Sequence, residues 1–317
     1  MPSQRVLASG VSWFDLLFQG RPNRIACGVV TGAPGTAIVD PGPTSTLDTL
    51  EASLALQGQS LAGVTHLVLT HIHLDHAGAT GTILRRHPGI RVVVHERGAR
   101  HLVDPSKLVE SASRLYGSAM DTLWGEVAAV PERSLIVVRG GETIDAGGRS
   151  FDVAYTPGHA SHHVSYFDRA SGIAFVGDTA GVCVEGGYVL PPTPPPDIDV
   201  ELWLGSIQTI DRWRASTLFL THFGPVTSAV PAHLQALADN LQRSAALVRE
   251  SLETEGSDDD RKAHYEARMM AELRAHMPEE LARAYETAAG FRMSWPGLAR
   301  YWRKKEERSG LKAVPAN

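Results

Sequence analysis

Four apolar runs of strand length in this chain each stop at a histidine or an aspartate. Residues 65–70 lead into His71, 151–158 into His159, 172–177 into Asp178 and 216–221 into His222. In α/β sheets the loops beyond the carboxyl ends of strands converge, and ligands bind there. A chain that repeats this ending four times is confined to folds that gather those strand ends at one edge. The first run opens a dense cluster, His71, His73, Asp75 and His76, within six residues. Gly158 and Gly177 precede His159 and Asp178, and Gly224 follows His222, so the backbone can turn tightly beside a crowded centre.

Further strand-like runs lie at 25–32, 36–40, 90–95 and 134–140. Helical patterns occupy 44–57, 78–87, 106–129 and 199–213, the first with Thr44 or Ser45 as its N-cap. Strands alternating with helices predict a layered α/β domain, and the continuous apolar runs predict strands buried on both faces. After about residue 230 no strand-like run remains, and Ala, Glu, Arg, Leu and Met dominate. Helices are expected over 231–254, 259–275, 278–290 and 295–306. The chain then divides into a domain at 1–230 and a helical C-terminal extension at 231–317 packed on it. The acidic run at 255–260 reads as a solvated turn and cap. The proline run at 191–196 reads as a polyproline II connector that can also stand as a stiff wall beside the site.

The chain has 317 residues and a net charge of −5, with a pI near 6.3. That balance gives no broad cationic face for nucleic acid. No apolar stretch reaches the roughly 18 residues of a membrane span. Cys27 and Cys183 are too few for a disulfide framework and read as buried small apolar groups. The expectation is a soluble cytoplasmic protein that acts on a small molecule, with a homodimer left open.

Neutral imidazole and carboxylate oxygen suit zinc, iron and manganese. His71, His73, Asp75, His76, His159, Asp178 and His222 make seven candidate ligands, more than one four-coordinate ion can use. Two ions sharing a bridging carboxylate and a bridging water accommodate all of them. His66, His87, His95 and His101 read as surface or strand-end residues, and His162 as a solvent-facing loop residue, with a position facing the site as its alternative.

In order and spacing these seven residues resemble the signature of the metallo-β-lactamase-fold superfamily, closest to its glyoxalase II-like branch, over about residues 25–228. The resemblance implies an αββα sandwich with the site at one edge of its two sheets. It implies a first metal on His71, His73 and His159, a second on Asp75, His76 and His222, and Asp178 bridging. Two zinc ions are expected, with iron or manganese as possible substitutes. The stretch 156–163, TPGHASHH, resembles the family's TPGHTxGH, which makes His163 a supporting or packing residue.

The activity implied is hydrolysis: a hydroxide bridging the two metals attacks an activated carbonyl of ester, thioester, lactone or β-lactam type. Asp75 would orient that nucleophile and shuttle its proton. Persulfide dioxygenases resemble the same motif but use one iron, so a mononuclear non-haem iron oxidoreductase is the alternative. This sequence departs from class B β-lactamases, which have a cysteine where Asp178 stands. It departs from homoserine-lactone lactonases, which have a tyrosine where Gly181 stands. Substrate choice then falls to the walls, expected to be apolar. Three segments are candidates: 106–126 with Leu115, Tyr116, Met120, Leu123 and Trp124; Tyr188 through Pro196; and Met269, Tyr285, Phe291 and Trp295 of the C-terminal helices.

Overall fold

The computed structural model describes residues 5–33, 35–288 and 291–309. One sheet follows chain order: β1 (Arg5–Ala8), β2 (Val11–Asp15), β3 (Ala26–Thr31), β4 (Thr36–Val39), β5 (Val64–Val68), β6 (Arg91–His95) and β7 (Leu135–Val138). Its first four strands pair antiparallel, and β4 through β7 pair parallel. The second sheet holds β8 (Thr143–Ala146), β9 (Arg149–Tyr155), β10 (Val164–Asp168), β11 (Ile173–Phe175), β12 (Thr217–Leu220) and β13 (Gly224–Val226). There only β11 and β12 run parallel.

Helices α1 (Leu47–Ala55), α2 (Leu74–Ala77), α3 (Thr80–Arg86) and α4 (Glu96–Val103) connect strands of the first sheet. Two more, α5 (Ser106–Tyr116) and α6 (Met120–Trp124), complete the long connection to β7. Helix α7 (Val200–Asp211) precedes β12. After β13 come α8 (Val230–Leu252), α9 (Asp258–His276), α10 (Glu279–Ala288) and α11 (Phe291–Ser309).

Alternation along the strands builds the layers, because successive side chains point to opposite faces. Ala26 and Val30 of β3 join Val39, Val93, Phe151, Tyr166 and Phe175 in a core between the sheets. Cys27 and Val29, on the other face of β3, join Leu50 and Leu54 of α1 and Ile83 of α3. The outer face of the second sheet, with Val176 and Leu220, packs on Trp203 and Ile207 of α7. The same core takes in Leu237, Met269, Tyr285 and Trp295 of the C-terminal helices. The result is an αββα sandwich with C-terminal helices. Among the described residues, no helix is long and apolar enough to cross a membrane.

Several elements are absent from the sequence reading. The β1–β2 hairpin, β8, β10 and β13 are short, and polar residues interrupt their apolar pattern. In β10, Ser165 is fully buried yet satisfied, its hydroxyl 2.9 Å from that of Thr156. Thr44 and Ser45 do not cap α1, whose N-cap is Thr46, its hydroxyl donating to the Pro43 carbonyl rather than capping the helix. Their hydroxyls instead donate to the carbonyls of Glu126 and Leu123, at 2.7 and 2.6 Å. The α5–α6 segment supplies those acceptors, and local sequence cannot reveal them. The acidic run does act as a cap: Ser257 and Asp260 form a reciprocal capping box at the start of α9.

Candidate metal centre

The strand ends converge as their endings require. Past β5 the chain carries His71, then enters α2, whose N-cap is His73 and whose first turn holds Asp75 and His76. His159 follows β9, Asp178 lies in the turn after β11, and His222 follows β12. Gly177 holds φ at +47°, and a Cβ there would lie 2.7 Å from His163 Nε2. A side chain would therefore be both strained and crowded at the residue that sets the direction of Asp178.

All seven predicted residues meet. His159 Nε2 lies 3.1 Å from His73 Nδ1 and 3.3 Å from Asp178 Oδ2. The other carboxylate oxygen, Asp178 Oδ1, lies 3.2 Å from His76 Nε2 and 3.5 Å from His222 Nε2. Asp75 Oδ2 is 3.2 Å from His222 Nε2 and 3.8 Å from His76 Nε2. Donors about 2.0–2.1 Å from a tetrahedral ion stand roughly 3.3 Å apart. The spacing is that of atoms around an ion. Three groups of donors are close enough to share one: His71, His73 and His159; His71, His76 and Asp178; and Asp75, His76 and His222.

The far ring nitrogens explain why these donors face inward. His159 Nδ1 donates to the Pro192 carbonyl at 2.9 Å, and His222 Nδ1 to that of Arg24 at 2.6 Å. His76 Nδ1 donates to Asp40 Oδ2 at 2.8 Å. Thr70 Oγ1 gives its proton to Asp40 Oδ2, so it accepts from His71 Nδ1 at 3.2 Å. Each bond places the proton on Nδ1 and leaves Nε2 as the inward lone pair, as supporting partners of a metal site do. Among the described residues, His71 Nε2, His76 Nε2 and Asp178 Oδ1 are buried with no hydrogen-bond partner. Buried polar atoms rarely go unsatisfied, so these three orphans fit a cation at their meeting point.

Charge is arranged to match. Burial, then the neighbouring His76, His73, His163 and His159, hold His71 well below the usual histidine range. Burial and His159 bring His73 down to about 4. His76 goes the other way: burial opposes its charge, but Asp178, Asp75 and Asp40 outweigh it and raise the pKa well above normal. Asp75 and Asp178 are depressed despite burial, chiefly by His76 and His222. Neutral imidazoles and ionised carboxylates are the ligand forms that metals bind, so His71, His73 and the two aspartates already have them, while His76 would release a proton on binding an ion.

A cavity of about 970 Å³ opens in front of the cluster. Leu115, Tyr116, Leu123 and Trp124 line it, as do Pro192 and Pro194 through Pro196, so the proline run is a wall. Of the C-terminal residues expected there, Met269, Tyr285 and Trp295 are instead buried in the core around α7. Their helices pack on α8 and on one another, and Met293 is the residue that reaches the cavity. The Phe291 side chain lies outside the described residues. His162 is not a solvent-facing residue. It lines the cavity, its ring 6.0 Å from that of His71 and nearly parallel to it, with Nδ1 3.5 Å from Ile72 N. His163 is fully buried, with Nδ1 2.9 and 3.0 Å from the hydroxyls of Thr156 and Thr179.

A family profile described as the metallo-beta-lactamase superfamily matches residues 20–222. The chain belongs to the metallo-beta-lactamase superfamily. Its relatives include a metallo-beta-lactamase fold-containing protein of Sulfurisphaera tokodaii, 31% identical over 168 residues, 52% of this chain and 62% of that one. Another is a hydroxyacylglutathione hydrolase of Maricaulis maris, 35% identical over 142 residues, 44% of either chain. The chain thus spans less than two thirds of the length of these relatives. Among solved structures, a metallo-beta-lactamase family protein of Thermus thermophilus matches with a TM-score of 0.70 at 21% identity, covering 95% of both chains. That likeness is one of fold.

Within this metallo-beta-lactamase-fold centre, sequence reasoning overlooked Asp40. It follows β4 as the histidines and Asp178 follow their strands, so the same strand-end signal marks it. It touches no inward donor position but accepts from Thr70 N, Thr70 Oγ1, Thr221 Oγ1 and His76 Nδ1, all within 2.9 Å.

Proposed function

We propose that this chain is a dinuclear metallohydrolase, zinc being the ordinary fit to its nitrogen and oxygen donors, acting on a small molecule with a hydrolysable acyl group. The acyl bond is of ester, thioester, lactone or β-lactam type. On this reading His71, His73 and His159 hold one ion, Asp75, His76 and His222 hold the other, and Asp178 lies between. The observation that carries it is the split carboxylate of Asp178, with Oδ2 near His159 and Oδ1 near His76 and His222. Ions bound there supply Lewis acidity and lower the pKa of a water to about 7.

The chain's own residues do the rest. Asp75 is the ligand carboxylate open to the cavity, its side chain a quarter exposed while Asp178 is 5% exposed. It is placed to orient the attacking water and hold its proton. The Nδ1 hydrogen bonds of His159 and His222 fix the rings without using the inward nitrogens. Tyr116 and Trp124 exclude bulk water from one side of the reacting carbonyl. The 231–317 extension, in its described residues, packs on the hydrolytic domain at 1–230 and contributes Met293 to the cavity.

Elemental analysis of purified protein, followed by a panel of ester, thioester, lactone and β-lactam substrates, tests this reading. Two ions per chain and turnover of at least one acyl class are expected. Asp75→Asn should lower kcat by about 10²–10⁴-fold with the fold retained. Full kcat in that variant, at normal metal content, would remove Asp75 from the chemistry.

A further inference from the structure

The cavity has two unlike walls. Helix α5 turns Leu108, Ala112, Leu115 and Tyr116 toward it, the spacing of one helix face. The preceding helix, α4, turns Arg97 and Arg100 toward the same space, and Lys107 stands beside them at the start of α5. Arg21 lines the same cavity from the segment between β2 and β3. All four cations are exposed at the mouth, and among the described residues none of the four sits in an ion pair. Arg97 lies over the Tyr155 ring at 5.7 Å, and Arg100 Nε meets His101 Nε2 at 3.2 Å.

The carboxylates of the cavity offset them only in part. Glu96 pairs with Arg139, Asp75 and Asp178 belong to the metal cluster, and Asp197, which accepts from Ser161, is one anion against four cations. A chain of net charge −5 has thus gathered four cations at the entrance of one cavity. Like charges so placed repel one another and attract an anion into the mouth. Three of the four are arginine, whose planar fork matches phosphate oxygens two at a time.

We propose that the substrate is an acyl thioester whose leaving group is a phosphate-bearing carrier thiol. The acyl chain lies along the α5 wall, and the phosphates lie against Arg97, Arg100, Lys107 and Arg21. The proposal rests on the hydrolase reading above. A cavity of about 970 Å³ sits at the upper end of ligand pockets, large enough for acyl group and carrier together. In the reaction a water oxygen adds to the acyl carbon, the carbon–sulfur bond breaks, and acid and thiol are released. Nothing is oxidised or reduced. A thiol, with a pKa of about 8.5, leaves readily as its anion, so the site needs no acid to protonate it. Four cations also exceed what a carboxylate carrier uses, since a peptide thiol bearing two carboxylates and one amine offers a single net negative charge.

Two measurements test this. In the first, calorimetric titration follows free coenzyme A binding to the metal-loaded protein. In the second, one acyl group is presented on coenzyme A, on glutathione and on uncharged N-acetylcysteamine. The Arg97→Gln/Arg100→Gln variant should weaken coenzyme A binding at least tenfold. It should also lower the ratio of kcat/KM for the coenzyme A ester over the N-acetylcysteamine ester at least tenfold. Lys107→Gln should act in the same direction more weakly. Arg114→Gln, outside the cavity and paired with Glu110, controls for loss of charge. No coenzyme A binding at millimolar concentration, or an unchanged ratio, overturns the proposal. A glutathione ester that depends equally on both arginines overturns the phosphate assignment. Arginine-dependent binding without hydrolysis of any ester overturns the hydrolase reading and leaves the anion site standing.

Discussion

Asp40 is 1% exposed and accepts four hydrogen bonds, from Thr70 N, Thr70 Oγ1, Thr221 Oγ1 and His76 Nδ1. It ties the ends of β4, β5 and β12 together and fixes the ring of His76 from behind. Asp40→Asn keeps the shape but turns an accepting oxygen into a donor aimed at other donors. Loss of such a supporting partner lowers metal affinity by about 10–100-fold. Chelator competition should show a loss of that size, and an unchanged metal affinity would deny Asp40 its positioning role. His162 teaches the converse lesson at the same scale. Two neighbouring histidines in one loop look alike in sequence, and only the fold sets the His162 ring beside that of His71 and buries His163 against Thr156 and Thr179.

The α5–α6 element is pinned at few points, which makes its anchors measurable. Trp124 is 7% exposed, stacks on Phe18 at 5.4 Å and meets the Tyr116 ring edge-on at 5.1 Å. The Thr44 and Ser45 hydroxyls hold the carbonyls of Glu126 and Leu123 from the other side. Removing a buried indole costs about 3–5 kcal/mol. Trp124→Ala should therefore speed amide exchange over 106–124 and raise KM for apolar acyl groups, with metal content unchanged. If exchange rises but every KM stays the same, the segment covers the cavity without touching substrate. The helical character of this insert was readable, because its apolar residues recur at helical spacing, but the stretch expected over 106–129 breaks at Gly117 and ends at Trp124. Which C-terminal face meets the cavity was not readable, because Met269 and Met293 look equally apolar in isolation.

Across the whole molecule, the buried histidines set the pH response of the metal-free protein. Burial above all lowers His71, His159, His162 and His163, and with His159 it lowers His73 to about 4. Below 6.5 the unfolded chain binds protons at these residues that the folded chain refuses, so stability falls as the pH drops toward 4. His76 and His222 are raised instead, by Asp178 and Asp75 acting against burial. Above 6.5 the folded chain keeps those two protons and the unfolded chain does not, so their contribution is lost as pH rises through the folded values. The Tm of chelator-treated protein should therefore peak near pH 6.5 and decline on both sides. A Tm that climbs steadily from pH 6.5 to 9 would show that His76 and His222 are not held charged.

The strand ends, and what stands on them, can be read from neighbouring residues alone. Period-two burial and the repeated apolar run ending in His71, His159, Asp178 or His222 are local patterns, and the layered fold follows from where their faces can be buried. Distance along the chain hides the rest. Asp40 lies 36 residues from His76 and 181 from Thr221, and the cationic wall draws Arg21 from one connection and Arg97, Arg100 and Lys107 from another. Such groups become neighbours only when the two sheets close on their shared core, since a hydrogen bond or a local field acts over a few ångströms of space whatever the separation in sequence.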